Sequence, residues 1–225
     1  KNLKKNIFLV PRIYADELIS ENKRYLKDLL NELNKDIKLF YCGKYVVNDK
    51  FETNSKLIKK IDKEKRIIFW DNYYANDYCP KRLYLGPWLI NKDLKKVMVN
   101  LTGMIETDLL ILEMVAMCRN SVNKIDAWRN ILKKYDIPDE FFKLRKFFDK
   151  PHLTKNKFNS DIIINYNIFN DLDVLIWRWK TPLSREWYPY LLSLKQDLQI
   201  LCNKLPSIRI LKTQTYPIVK KILNN

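Results

Sequence analysis

Short apolar runs alternate with amphipathic segments along the first half of the chain. Runs rich in β-branched and aromatic residues predict strands at 6–10, 37–42, 66–70 and 96–100. Apolar residues recur at helical spacing over 23–33, 55–61 and 105–117. Because strands that alternate with helices are typical of βα units, this half predicts an α/β fold with a parallel sheet.

The pattern changes near residue 120, where aromatic stripes at helical spacing replace the strand pattern. Helices are predicted over 125–135, 139–148, 162–179 and 187–201. Prolines lie near their ends, at Pro138, Pro151, Pro182 and Pro206. The segment 162–166 alone could be a strand, but the length and spacing of the whole run favour a helix. We therefore predict two domains, 1–119 and a helical domain, 120–225.

A cluster of short polar side chains follows the third predicted strand: Asp71, Asn72, Asn76 and Asp77. Side chains at the carboxyl end of a buried parallel strand are well placed to contact a ligand. Asn72 and Asp77 are five positions apart, too close for another helix or strand, so both belong to one loop. Carboxylate and amide groups flanked by Trp and Tyr suit sugar hydroxyls and sugar ring faces. The cluster therefore predicts a binding site for a neutral, hydroxyl-rich ligand.

The same stretch carries the pattern W-D-N-x-x-x-N-D-Y followed by R-L-x-L-G-P, at 70–78 and 82–87. Segments at 10–14, 43–47 and 97–100 flank it in a matching order. Together they resemble glycoside hydrolase family 84, the β-N-acetylglucosaminidases that include O-GlcNAcases and bacterial hyaluronidase-like enzymes. The resemblance covers roughly residues 6–118.

The resemblance implies that this chain is the second half of a (β/α)8 TIM-type barrel, made of four βα units, followed by an all-α helical domain. Four strands cannot close such a barrel. In the family, the four other strands come first, and the strand just before Lys1 would carry the adjacent aspartate pair that performs catalysis. No Asp-Asp pair occurs in this sequence. We therefore expect the missing half-barrel in cis or as a separate chain, and expect this chain alone to be inactive.

Family 84 enzymes use the substrate's own 2-acetamido oxygen to attack the anomeric carbon, with overall retention of configuration. The protein supplies one carboxylate that orients the acetamide and another that acts as general acid and base. No metal or cofactor is implied. The expected substrate is a glycan or glycoprotein that contains N-acetylglucosamine.

The resemblance assigns substrate-binding roles to four residues: Asp77, Asn100, Trp70 and Tyr78. Asp77 would accept hydrogen bonds from the 4- and 6-hydroxyls of the sugar, and Asn100 would reach the same side of the ring. Trp70 would form one side of the pocket for the acetamido group. The structural alternatives are a turn-capping aspartate, a strand-end asparagine that satisfies backbone groups, and a core tryptophan.

Two further residues would assist catalysis. Asn72 would lie near the acetamide, and Tyr14 would donate its hydroxyl toward the acetamido oxygen unless it is a half-buried strand-end tyrosine. Asp71 is expected to be structural. The chain departs from the family pattern at Tyr41 and Cys42, which replace Trp and Thr, and at Leu101, which replaces Pro.

The formal net charge of +16 and pI near 9.6 raise the alternative of a basic nucleic-acid-binding protein. The lysines are scattered over helix faces without a dense tract, so we expect no nucleic-acid partner. A non-catalytic N-acetylglucosamine-binding relative is another alternative. In the run 177–180, WRWK, the tryptophans could stack on bases or sugars, but we expect them to be core residues.

The four cysteines are widely spaced and form no C-x-x-C pair, which predicts neither a zinc site nor a disulfide scaffold. Because such usage fits a reducing compartment and no signal or membrane-spanning segment is visible, we expect a cytoplasmic protein without membrane contact. The single histidine, His152, is expected in a linker.

Overall fold

The computed structural model describes residues 7–21, 24–48, 52–63, 66–77, 83–90, 96–148 and 167–202. These residues form two compact units. The first runs to Tyr73 and includes 89–100, and the second comprises 74–88 and the chain from Leu101 onward. The chain therefore passes between the units three times, after residues 73, 88 and 100.

The first unit contains a parallel sheet with the strand order β1-β2-β3-β4. Its strands are β1, Phe8–Leu9; β2, Lys38–Tyr41; β3, Ile67–Asp71; and β4, Val97–Val99. Leu9 lies opposite Leu39, and Phe69 lies opposite Val97. Its helices are a 3-10 helix, Asp16–Glu21, and two α-helices, α1, Tyr25–Glu32, and α2, Lys56–Lys63. The predicted α/β fold with a parallel sheet is confirmed, whereas the half-barrel stays a prediction.

Side-chain alternation gives this sheet two different faces. On one face, residues of the strands pack with residues of α1 and α2; these buried residues are Ile13, Leu26, Leu39, Tyr41, Ile58, Ile61 and Ile67. The other face carries an aromatic row, in which the ring centroids of Phe8 and Phe40 are 5.9 Å apart and those of Phe40 and Trp70 are 6.4 Å apart. Phe8 remains 47% exposed, so this face is less covered than the helical one.

The second unit consists of helices together with the segments 74–77 and 83–88. Its α-helices are α3, Ile105–Asn120; α4, Lys124–Lys134; α5, Asp139–Lys143; α6, Asn167–Asp173; and α7, Pro182–Leu201. A 3-10 helix spans Arg145–Phe147, and a π-helical turn, Val174–Arg178, continues α6. Of the predicted helix 162–179, residues 162–166 lie outside the described residues, and so does His152.

Aromatic side chains form the core of the second unit. Trp128 and Trp187 are each 1% exposed, and Phe141 is fully buried with its ring 5.3 Å from that of Trp187. The segment 83–88 is fixed to this core, because Trp128 Nε1 donates to the carbonyl of Leu85 at 2.6 Å and the Leu85 amide donates to Phe148 at 2.7 Å. The segment that carries the G-P motif thus belongs to the helical unit.

The start of α7 differs from the prediction. The helix begins at Pro182, five residues before the predicted start at 187. Thr181 and Ser184 form a capping box, in which the Thr181 side chain accepts from the Ser184 amide and the Ser184 hydroxyl accepts from the Thr181 amide. Proline is favoured at the first helical position, since the amide it lacks has no partner there. Pro182 therefore starts this helix rather than separating two others.

Helix α3 is held to α7 by a carboxylate at its amino end. Glu186 accepts from the amides of Glu106 and Thr107 at 3.0 and 2.8 Å and from the Thr107 hydroxyl at 2.7 Å. Trp187 Nε1 donates to the same hydroxyl at 3.0 Å. Because α3 also packs on α4, it belongs to the helical unit, and the predicted domain boundary at 119/120 does not coincide with the limits of the packing units. No helix in the described parts of the chain is long and apolar enough to cross a membrane.

Candidate functional site

The carboxyl ends of β3 and β4 bring two predicted site residues together. Asn72 directly follows β3 and Asn100 directly follows β4. The amide of Asn100 donates to the carbonyl of Asp71 at 2.8 Å, which extends the pairing of the two strands past their ends. The Asn100 side-chain nitrogen then donates to Asn72 Oδ1 at 3.1 Å. The parallel arrangement therefore makes an amide pair from residues that are 28 positions apart.

The two side chains of this amide pair differ in how many hydrogen bonds hold them in place. Asn72 is 5% exposed, and its Nδ2 donates to the carbonyl of Val46 at 3.0 Å and contacts Cys42 Sγ at 3.2 Å. Asn100 is half-buried, and within the described part of the chain its side chain makes only the bond to Asn72. Asn72 is thus the fixed member, and the carbonyl oxygen of Asn100 is available to accept a hydrogen bond from a ligand.

Tyr14 and Trp70 form the aromatic part of the site. Their ring centroids are 5.2 Å apart with an interplanar angle of 53°. Tyr14 follows β1, and its carbonyl accepts from the Cys42 amide at 2.7 Å. Trp70 belongs to β3 and lies on the less covered face of the sheet. Its indole N–H is buried without a hydrogen-bond partner in the described residues.

Asp71 has the structural role that the sequence predicts. The residue is fully buried at the end of β3, and its Oδ1 accepts from the Tyr73 amide at 2.9 Å. A carboxylate that bonds to the amide two residues ahead closes an Asx turn. Asp71 therefore shapes the turn that carries the chain from Asn72 into the second unit.

Cys42 is not poised as a nucleophile. Burial raises the pKa of its thiol to about 12, and the negative charges of Asp71 and Glu17 act in the same direction, while the hydrogen bond from Asn72 opposes them. A thiol with such a pKa is protonated at neutral pH and unreactive. The residue that replaces the family's threonine thus contributes packing and a contact to Asn72.

Sequence reasoning missed the role of Asp16. Its carboxylate accepts from the Tyr41 hydroxyl at 2.8 Å and from the Thr53 hydroxyl at 2.8 and 3.0 Å. Burial and this hydrogen bond raise the pKa of Tyr41. The backbone amide of Asp16 also donates to the carbonyl of Gly43 at 2.8 Å. Asp16 therefore ties together the loops that follow β1 and β2, beside Tyr14 and Cys42.

Gly43 permits the close approach of these loops. Its φ angle is +99°, and a Cβ atom there would lie 2.5 Å from the carbonyl oxygen of Glu52. Because of the positive φ angle and this close contact, any residue larger than glycine would strain the backbone at position 43.

Two predicted site residues remain. Asp77 is exposed and belongs to the second unit, and Tyr78 lies outside the described residues. Asn76 is 8% exposed and donates to the Tyr190 hydroxyl at 2.9 Å, so it fastens the loop to α7. The inclusion of Asp77 and Tyr78 in the site stays a prediction. Among the described residues, no group of three or more His, Cys, Asp or Glu side chains could hold a metal ion.

These features define an α/β protein whose candidate ligand site lies at the carboxyl edge of a parallel sheet. A family model described as β-N-acetylglucosaminidase matches residues 1–148. The chain therefore belongs to this family, glycoside hydrolase family 84. The match confirms the predicted resemblance and extends it into α4 and α5.

Individual relatives match smaller parts. The protein O-GlcNAcases of Rattus norvegicus and Mus musculus are each 38% identical to this chain over 65 residues, which cover 28% of this chain and 7% of each relative. A solved mutant of the Thermobaculum terrenum O-GlcNAc hydrolase shares the fold with a TM-score of 0.61 and 20% identity. That match covers 87% of this chain and 49% of the other, so the chain spans about half of the solved protein.

Proposed function

We propose that this chain is the sugar-gripping part of a retaining, substrate-assisted β-N-acetylglucosaminidase. The catalytic aspartate pair lies in a preceding half-barrel, in cis or on a separate chain. The substrate is an N-acetylglucosamine-containing glycan or glycoprotein. Family membership supports the reaction class, and the amide pair of Asn72 and Asn100 is the observation that carries the assignment of the site.

The amide pair suits a sugar because one member is fixed and the other is free to bind. Asn72 makes its hydrogen bonds within the protein and thereby orients Asn100. An oriented amide carbonyl accepts a hydrogen bond from a sugar hydroxyl at little entropic cost, since the side chain is ordered before binding. A neutral acceptor also suits a neutral hydroxyl-rich ligand.

Trp70 and Tyr14 suit the acetamido group. The methyl group of the acetamide would contact the aromatic rings of Trp70 and Tyr14. Tyr14, with its ring 5.2 Å from that of Trp70, would direct its hydroxyl toward the acetamido oxygen.

The first test is hydrolysis of an aryl β-N-acetylglucosaminide. We expect no turnover by the 225-residue chain and activity when the four preceding βα units are supplied in cis or as a partner chain. Turnover by the purified chain alone, abolished by an inhibitor of family 84 enzymes, would overturn the placement of the catalytic carboxylates.

The second test compares Asp77→Ala with Asp71→Ala in the complete enzyme. If Asp77 accepts from two sugar hydroxyls, its loss should lower kcat/KM by roughly two to four orders of magnitude with little change in Tm. Asp71→Ala should lower Tm more than it lowers activity per folded molecule, because Asp71 is fully buried and closes a turn. A well-folded Asp77→Ala enzyme with near-normal kcat/KM would refute the sugar-binding assignment.

A non-catalytic N-acetylglucosamine-binding relative is the second candidate. The codons upstream of Lys1 distinguish the two, since an encoded Asp-Asp pair supports the enzyme and its absence supports the binding protein. We also propose a cytoplasmic location, supported by the free, buried thiols of Cys42 and Cys118. Cell fractionation tests this location.

A further inference from the structure

The run at 177–180 has a different arrangement from the predicted one. Trp179 is 6% exposed and packs against Trp187 at 5.3 Å, as expected of a core residue. Trp177 is instead 51% exposed, and the expectation that both tryptophans are core residues is wrong. The cause is the π-helical turn, in which the Trp179 amide donates to the Val174 carbonyl, five residues back, at 3.0 Å. Single π-turns are frequent at functional sites.

Trp177 forms a corner with a second exposed ring on α7. Tyr188 is 37% exposed, and its ring centroid lies 5.7 Å from that of Trp177 at an interplanar angle of 70°. Two rings at such an angle leave one aromatic face and one aromatic edge open beside each other. Pro189 follows Tyr188 within the helix. Because proline has no amide hydrogen, α7 lacks one backbone hydrogen bond beside Tyr188.

The orientation of Trp177 is fixed by a carboxylate. Its indole N–H donates to Asp173 Oδ1 at 3.1 Å, and the Lys195 ammonium binds the same oxygen. The other oxygen of Asp173 accepts no hydrogen bond from the described residues, and the Asp173 side chain is 43% exposed. An aromatic ring that is ordered before binding loses little entropy when a ligand stacks on it.

We propose that Trp177 and Tyr188 form an accessory binding surface for β-linked N-acetylglucosamine units of a glycan. This choice of sugar rests on the proposed function. All ring substituents of a β-linked glucosamine are equatorial, so its two faces are lined by axial C–H groups and can stack on an indole. Its hydroxyls can bind the free oxygen of Asp173 and the Tyr188 hydroxyl.

Charge favours a neutral glycan over a nucleic acid at this corner. Asp173 balances Lys195, and its carboxylate would repel a phosphate. Arg178 within the π-turn, Lys180 just after it and Arg185 on α7 are exposed cations, but none of them is shown to form a continuous groove with the two rings. Binding of single strands by stacking requires a groove of positive charge along the backbone as well.

The experiment is a titration of the isotope-labelled chain with the β-1,4-linked trimer of N-acetylglucosamine, followed by NMR. The Trp177 indole signal is assigned by its loss in Trp177→Phe. We expect a saturable shift of this signal, and an affinity for the trimer that is at least about tenfold weaker in Trp177→Ala and in Tyr188→Ala. Val122→Ala, which changes a residue that is 96% exposed elsewhere in the same unit, is the matched control and should bind like the wild type.

Two results would overturn the proposal. One is the absence of a saturable shift, or an unchanged affinity in the well-folded Trp177→Ala variant. The other is displacement of the trimer by single-stranded DNA with a steep dependence on salt, which would assign the corner to nucleic acid. Asp77→Ala separates this proposal from the proposed function: trimer binding at Trp177 should persist in that variant, whatever its effect on hydrolysis. If the Trp177 indole signal no longer shifts in Asp77→Ala, the surface formed by Trp177 and Tyr188 is not separate from the proposed active site.

Discussion

Replacement of Glu186 should destabilise the second unit far more than an ordinary surface change. The carboxylate accepts three hydrogen bonds at the amino end of α3, two from backbone amides and one from the hydroxyl of Thr107, which is fully buried. A helix cap is worth about 0.5–2 kcal/mol, and a hydrogen bond to a charged group is worth about 1.5–3 kcal/mol. Because these bonds are not additive, and Trp187 Nε1 still donates to the Thr107 hydroxyl, we expect a loss of about 2–4 kcal/mol in Glu186→Ala and about half of that in Glu186→Gln.

Urea unfolding followed by tryptophan fluorescence measures this change. Five of the six tryptophans belong to the second unit, so the signal reports mainly on that unit. Glu113→Ala is the matched control: it removes an acid of α3, the helix that Glu186 caps, and the ion pair of Glu113 with Lys134 is solvent-exposed and worth less than about 1 kcal/mol. If Glu186→Ala lowers the free energy of unfolding by less than about 0.5 kcal/mol, the usual size of a surface substitution, the cap does not stabilise α3.

Two further predictions concern the loop after β2. Gly43→Ala should lower the free energy of unfolding by about 2 kcal/mol or more, since it combines positive φ with a backbone clash; Gly103→Ala, at φ +80° with nothing within 4 Å of its Cβ, is the control and should cost less in a thermal melt. The pKa of Cys42 is raised from 9.0 to about 12 in the folded state, so its contribution to stability is complete below pH 9.0 and is lost as pH rises toward 12. The wild type should therefore lose stability over this range more steeply than Cys42→Ala, and parallel pH profiles in urea would contradict the shift.

The sheet and the amide pair were predictable because they depend on strong local patterns. Four apolar runs separated by helical spacing indicate parallel strands, and consecutive parallel strands place their carboxyl ends at one edge. The proximity of Asn72 to Asn100 follows from this order alone. The strands themselves are shorter than predicted; Pro11, which lacks an amide hydrogen, follows closely on β1, Phe8–Leu9.

Other features depend on contacts between distant residues. Asp16 binds Tyr41 and Thr53, which are 25 and 37 positions away in the sequence. No local sequence pattern predicts partners at such distances. The exposure of Trp177 depends on a π-turn that changes the phase of the helix, and a regular helical period assigns the wrong face to it. Helix α3 packs with the helical unit because Glu186 and Trp187 bind its first turn. The position of α3 in the sequence, directly after β4, therefore did not predict that this helix packs in the second unit.

The three passages of the chain between the units impose an order on folding during synthesis. Segment 83–88 leaves the ribosome before Trp128 and Phe148, the residues whose side chain and backbone bind Leu85. Domains usually fold as units while the chain emerges, but here the first unit needs residues after 88 and the second needs residues before 89. Neither unit is a continuous stretch of nascent chain. The segment that carries the family's G-P motif therefore lacks its final neighbours until the chain has been translated past Phe148.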